Sequence, residues 1–187
     1  MIEKNKVIIR RPKKQELDKI KEFFKLVLKD TLIVNGISNV KGLLDEEIND
    51  KDFRINQDFN SNGKDRYFLF AEYDSKIIGS IEYGLTSELL NTGSNNELQY
   101  LYEIGTVFVL PKYQRQGVIS LLFVCLFKKL EVIGEKEVCF DSGYKIAQQI
   151  WIKKFGNPAY YLKDYWGDDA HLMVWRINIK EAQKLFK

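Results

Sequence analysis

The run Thr106–Ser120, TVFVLPKYQRQGVIS, constrains this chain most: an apolar strand stops at a proline, a short polar turn follows, and a glycine opens an apolar helix. Pro111 ends the strand because proline lacks the N–H that a ladder requires. The helical pattern that starts at about Gly117 continues to Ile133 and closes at Gly134. A strand that feeds a helix in this way belongs to a mixed sheet covered by helices.

The rest of the chain agrees with that class. Val7–Arg11 reads as a strand. Lys14–Thr31 reads as a helix, with Leu17, Ile20, Phe23, Phe24, Leu26, Val27 and Leu28 at helical spacing. Gly36-Ile37-Ser38 breaks it, and Ser38 or Asn39 caps a second, more acidic helix through Glu47. Asn56–Lys64, NQDFNSNGK, reads as a surface loop. Arg66–Tyr73 and Lys76–Leu85 flank Asp74-Ser75 and should form a hairpin. Polar Thr86–Asn96 precedes a long strand, Leu98–Val109. After the apolar helix come a strand at Glu137–Phe140 and a helix at Lys145–Lys154, which Phe155-Gly156-Asn157-Pro158 stops. Strands at Ala159–Tyr165 and His171–Ile179 straddle Gly167-Asp168-Asp169. The expected fold class is therefore α/β (α+β), about seven strands with helices on both faces. No repeat or Pro/Ser-rich linker divides it, so residues 1–187 are expected to form one domain.

Composition narrows the partners. Of 187 residues, 45% are hydrophobic and 29% charged, as in ordinary globular proteins. The longest apolar run, Ile119–Phe127, is far short of the roughly 20 residues that span a bilayer. Met1–Pro12 sets charged residues around Val-Ile-Ile and does not read as a signal peptide. A cytoplasmic protein without membrane contact is expected. Cys125 and Cys139 sit in apolar segments and read as reduced core thiols. With His171 the one histidine and no Cys-x-x-Cys, no metal site is expected. The net charge of +3 suits an anionic small molecule, and no basic run with interleaved aromatics points to nucleic acid.

The turn after Pro111 has a chemical reading. The first N–H groups of a helix lack partners inside it, and the helix dipole places positive potential there. Gly117 permits close approach of a phosphate, and Lys112 and Arg115 add cations, so the turn reads as an anion site or as a plain structural turn.

Val107-x-Val109-x-Pro111-x-Tyr113-Gln114-x-x-Gly117 resembles the coenzyme A-binding motif of the GNAT N-acetyltransferase superfamily. That family's signature is Arg/Gln-x-x-Gly-x-Gly/Ala. Gln114 and Gly117 match it, while Ile119 stands where the family prefers glycine or alanine. The resemblance implies a mostly antiparallel sheet splayed between its fourth and fifth strands. It implies acetyl-CoA as donor, the pantetheine pairing with backbone around Val107, Phe108 and Val109. It also implies a pyrophosphate held around Gln114 and Arg115 and on the N–H groups of Gln116, Gly117, Val118, Ile119 and Ser120. The acceptor implied is an amine, on a small molecule or a peptide. A non-catalytic acetyl-CoA-binding module is the alternative, and monomer and homodimer both stay open.

Transfer from a thioester needs a neutral amine and a proton for the leaving thiolate, so a base and an acid are useful. Glu103 is the leading base candidate, a charge within the apolar strand YLYEIGTVFVL. Period-two alternation places it on one face with Gly105, Val107 and Val109. It reads as a base, which the resemblance supports, or as a solvated edge charge. Glu82 in SIEYG is the second candidate. The family's acid is a tyrosine in Asn-x-x-Ala-x-x-hydrophobic-Tyr. Here Ala147 and Ile150 fit, but Tyr144 holds the asparagine position and Trp151 the tyrosine position. Tyr144, Ser142 or water is left to take the role. The acids Asp45, Glu46, Glu47, Asp50 and Asp52 read as a solvated helix face or a lure for cations. Tyr160, Tyr161, Tyr165 and Trp166 read as packing, an acceptor pocket or a dimer contact.

Overall fold

The computed structural model describes residues 2–186. In chain order the elements are β1 (Ile8–Arg10), α1 (Leu17–Val34), α2 (Leu43–Ser61), β2 (Arg66–Tyr73), β3 (Lys76–Leu85), α3 (Glu88–Gly93) and β4 (Tyr102–Val109). They continue with α4 (Val118–Val132), β5 (Glu137–Ser142), α5 (Lys145–Phe155), β6 (Tyr160–Leu162), β7 (Leu172–Asn178) and α6 (Ile179–Lys184). The described strands form one sheet in the order β1-β2-β3-β4-β5-β7-β6. β4 and β5 are parallel, whereas β1–β2, β5–β7 and β6–β7 are antiparallel. β4 registers with β5 at Tyr102↔Val138 and Glu103↔Cys139, a short ladder beside the six pairs of β5 with β7. The chain divides into two compact units, one of residues up to Glu82 with Thr106–Leu126, the other of Tyr83–Gly105 with residues from Phe127 on.

The first unit packs α1 and α2 on β2. Ile20, Phe23, Phe24, Val27 and Leu28 bury one face of α1 against Ile55, Phe68 and Phe70, and the last two rings stack at 5.7 Å. α1 ends where Gly36 takes φ +72, its N–H on Ile33 O and the Ile37 N–H on Leu32 O, so two terminal carbonyls are satisfied. Asn56–Lys64 is not all loop: α2 runs to Ser61, because Ile55 and Phe59 face the core while Asn56 and Asn60 lie on its solvated side. The turn is Asn62-Gly63, both left-handed. The acids of α2 are in part paired, Asp50 with Lys51 and Arg54, and Asp52 with Lys21. Asp74 and Ser75 both take positive φ, the geometry a two-residue hairpin turn requires.

In the second unit Leu90, Leu98, Cys139, Leu172 and Val174 form a core, and Phe140 stacks on Trp175 at 5.1 Å. Among the segments that differ from the sequence reading, two gain a short helix. Within Thr86–Asn96, Ser87 caps a short α3, accepting the Leu90 N–H, and β4 starts only at Tyr102. The last strand stops at Asn178, whose side chain accepts the Glu181 N–H and starts α6. Among the described residues no helix is long and apolar enough to cross a membrane.

Candidate functional site

In the first unit a built turn joins β4 to α4. Pro111–Tyr113 make one 3-10 turn, and the Gln114 side-chain amide donates to Val109 O at 3.1 Å, tying the turn to the strand it leaves. Arg115 and Gly117 take φ +56 and +86, a region that a β-carbon penalises. The Gln116 side chain donates to Lys112 O at 2.8 Å and accepts the Ile2 N–H at 2.8 Å. Both glutamine side chains therefore hold the turn's shape. What remains for a ligand is the run of N–H groups that opens α4 and the exposed cations Lys112 and Arg115. Val118 is buried, and Ile119 and Ser120 are half-buried. An open depression of ≈ 590 Å³ at the turn is lined by Ile2, Lys4, Gln114, Arg115, Gln116 and Gly117.

Just before this turn β4 carries a backbone irregularity. Thr106 takes φ +52, a costly conformation for a β-branched residue. Its carbonyl accepts the Ser80 hydroxyl at 2.7 Å, and its own hydroxyl donates to Glu82 at 3.2 Å. Glu82 is fully buried, with Arg66 Nη1 at 2.6 Å and Arg54 Nη1 at 3.0 Å on its two oxygens. Two guanidiniums and the Thr106 hydroxyl occupy this carboxylate, so Glu82 reads as the anchor of the irregular strand. Gly79 on β3 is needed for packing: a β-carbon there would meet Val118 Cγ1 at 3.0 Å and Phe108 O at 3.1 Å. Its absence lets β4 and the start of α4 close on β3.

Thr106 also changes a face assignment. A left-handed residue within a strand interrupts the period of two, so Glu103 and Gly105 do not continue in simple alternation to Val107 and Val109. Phe108 packs on the α1–α2 core, Val109 is buried and Val107 is half-buried.

The second unit holds Glu103 and the acid candidates. Glu103 is buried, and its Oε2 accepts the Ser87 N–H at 2.7 Å at the start of α3. It faces Cys139 in register, a thiol that burial pushes up to about 12. Tyr144 is half-buried ahead of α5, its carbonyl accepting the Gln148 N–H. β5 continues three residues from Cys139 to Ser142, so Glu103 and the Ser142–Tyr144 turn are separated by about 10 Å of strand. Gln148, itself buried, donates to Ser142 O and His171 O and fixes that turn. Trp151 is 8% exposed and lies edge-on to Phe140 at 5.6 Å, a core residue.

The model of the Acetyltransferase (GNAT) family matches residues 37–138, more than half of the chain. The chain belongs to that family. No curated protein matches the sequence. Among solved structures, one from Desulfovibrio desulfuricans, described as a GNAT-family acetyltransferase, has a TM-score of 0.69 at 14% identity, covering 92% of this chain and 99% of that one. The PaiA N-acetyltransferase of Thermoplasma acidophilum, in complex with coenzyme A, gives 0.64 at 19% identity, covering 91% and 99%. The ribosomal-protein-alanine N-acetyltransferase of Brucella melitensis gives 0.64 at 14%, covering 91% and 99%. At these identities they are similar in fold.

The turn thus combines a left-handed glycine, the first N–H groups of a helix and two exposed cations, groups that could hold an anion. Four contributors were not visible in the sequence. Thr106 carries no glycine or proline to flag its conformation. Ser80 looks like any strand serine. Ile2 and Lys4 are separated from the turn by more than a hundred residues.

Proposed function

We propose that this chain is an acetyl-coenzyme A-dependent N-acetyltransferase that transfers an acetyl group to a primary amine within a ternary complex. The observation that carries the reading is the turn Gln114–Ser120, with Gly117 at φ +86 opening α4 and its shape fixed by Gln114 and Gln116. Acetyl-CoA would supply an activated acyl thioester. Gln114, Arg115, Gln116, Gly117, Val118, Ile119 and Ser120 hold its pyrophosphate, chiefly through backbone N–H groups. Val107, Phe108 and Val109 pair with its pantetheine. The phosphate contacts bind donor and product alike, so they contribute affinity, while the rate comes from positioning and proton transfer.

Glu103 takes the proton from the incoming ammonium, its carboxylate oriented by the Ser87 N–H. Tyr144 donates a proton to the leaving thiolate. Each step is worth about 10²–10⁴-fold. Acceptors are primary amines of the kinds named for structural neighbours, which include a spermidine N-acetyltransferase chimera, the ribosomal-protein-alanine enzyme and an aminoglycoside 6'-N-acetyltransferase.

The test is thiol release from acetyl-CoA across spermidine, an alanine-initiated peptide and an aminoglycoside, beside calorimetry of acetyl-CoA. Turnover with one acceptor class is expected. Tight binding without turnover on any amine would support the non-catalytic reading, and absence of binding removes the site from this turn.

A further inference from the structure

Ile2 and Lys4 reach the same turn. Lys4–Lys6 form a single 3-10 turn ahead of β1. The Ile2 N–H donates to Gln116 Oε1 at 2.8 Å, and Gln116 Nε2 rests on Lys112 O, so one amide staples this arm to the turn. Lys4 then lies across Gly117 so closely that a β-carbon there would stand 2.8 Å from both its Cε and its Nζ. Ile2 and Lys4 line the depression together with Gln114–Gly117. Lys6, by contrast, pairs with Glu3 at 2.7 Å. The arm thus delivers one ammonium to the place where a phosphate would meet the helix start.

We infer that the N-terminal arm is part of the donor site and that Lys4 is a binding residue for the phosphates of coenzyme A. The inference rests on the acetyl-CoA reading above and adds to it a cation that no motif around Gly117 contains. An ammonium is a compact charge with three donors, suited to a phosphate oxygen without demanding one geometry. Its stem packs on a residue with no side chain, so Gly117 serves two ends: its φ shapes the turn, and its bare Cα seats Lys4. Arg115, left-handed and exposed, lines the same depression as Lys4, and Lys112 is the turn's other cation. Lys4 is exposed, so its contribution is modest and sensitive to salt. The contrary arrangement, an arm that blocks the turn until it is displaced, has the opposite sign and is measurable.

The experiment is calorimetry of the full chain and of Lys4→Gln and Lys4→Arg, with acetyl-CoA and with S-acetylpantetheine, which lacks the phosphates. It is run at low salt and at half-molar salt, with melting curves for each protein. Lys4→Gln should melt with the wild type and bind acetyl-CoA about fivefold more weakly at low salt. Its affinity for S-acetylpantetheine should be unchanged, Lys4→Arg should restore most of the loss, and high salt should shrink the difference. Unchanged or tighter acetyl-CoA binding by Lys4→Gln overturns the inference, as does an equal loss for both probes. If the wild type itself does not prefer acetyl-CoA to S-acetylpantetheine, the turn is not the phosphate site and the underlying reading fails instead.

Discussion

Replacing Glu82 by glutamine keeps the shape of the side chain and removes its charge, which separates a structural carboxylate from a catalytic one. Glu82 has no exposure, and its two oxygens take Arg66 at 2.6 Å and Arg54 at 3.0 Å, with the Thr106 hydroxyl at 3.2 Å. A glutamine can accept from one guanidinium, but its NH2 then faces the other. Removing one member of a buried pair typically costs about 3–5 kcal/mol, because the partner charge is stranded. Here the cost is smaller. Arg54 keeps Asp50 at 2.8 Å, Arg66 keeps Gln57 at 2.9 Å, and their side chains retain 18% and 10% exposure. The expected destabilisation is about 2–4 kcal/mol, a fall in Tm of roughly 4–16 °C for a chain of this size. Urea and thermal unfolding measure it, and the pH profile of acetyl transfer by the folded variant is recorded in parallel. The acidic limb of that profile should survive. A Glu82→Gln protein as stable as the wild type that has lost about 100-fold in turnover, and its acidic limb with it, refutes the reasoning and makes Glu82 the base.

Glu103→Gln should lower turnover by about 10²-fold or more and abolish the acidic limb, with acetyl-CoA affinity and melting little changed, since the amide oxygen still accepts the Ser87 N–H. Identical pH profiles would mean that Glu103 only anchors α3. Ile119→Gly should destabilise the fold by about 1–3 kcal/mol, through lost helix propensity and a lost half-buried side chain, with unchanged affinity for acetyl-CoA by calorimetry. Tighter binding in a stable variant would show that the isoleucine obstructs the site. Gly63→Ala should destabilise by about 2–4 kcal/mol in urea, since a β-carbon would stand 1.9 Å from Arg11 Nη1, whose guanidinium pairs with fully buried Asp58, and φ is +77. The fork of Arg10 on Glu16, 2.6 and 2.8 Å, holds that carboxyl below the usual glutamate range. A depressed acid stabilises the fold above its unfolded value, about 4.3, and loses that contribution as pH falls through the folded value. The acid side of a stability–pH curve should therefore be flatter in Glu16→Gln than in the wild type.

The elements with long periodic signals were legible in the sequence. Leu17, Ile20, Phe24, Val27 and Leu28 repeat at the spacing of α1, and Asp74-Ser75 lies at the hairpin turn where both residues are left-handed. Boundaries failed where polar residues belong to an element's wet side. Asn56, Gln57 and Asn60 are turn formers by composition, yet Ile55 and Phe59 bury the other face of the same helix and carry it to Ser61. Ser87 and Asn178 illustrate the converse. Each is a short polar residue at the start of a brief helix, and a single side-chain acceptor was enough to nucleate α3 and α6.

The candidate site divides along the same line. Pro111 and Gly117 act through their own backbone restrictions, so a strand that stops and a helix that starts could be read from one dimension. Thr106 acts through its neighbours. Nothing about threonine favours φ +52, and the residue is held there because Ser80 takes its carbonyl and Glu82 its hydroxyl, groups from another strand. That single residue decides which side chains of β4 share a face, and so which can meet a ligand laid along the strand. A reading from alternation alone is reliable up to Gly105 and loses its phase at the next residue. Glu103 lies before the interruption and Val107–Val109 after it, so alternation along the strand does not carry from one to the other.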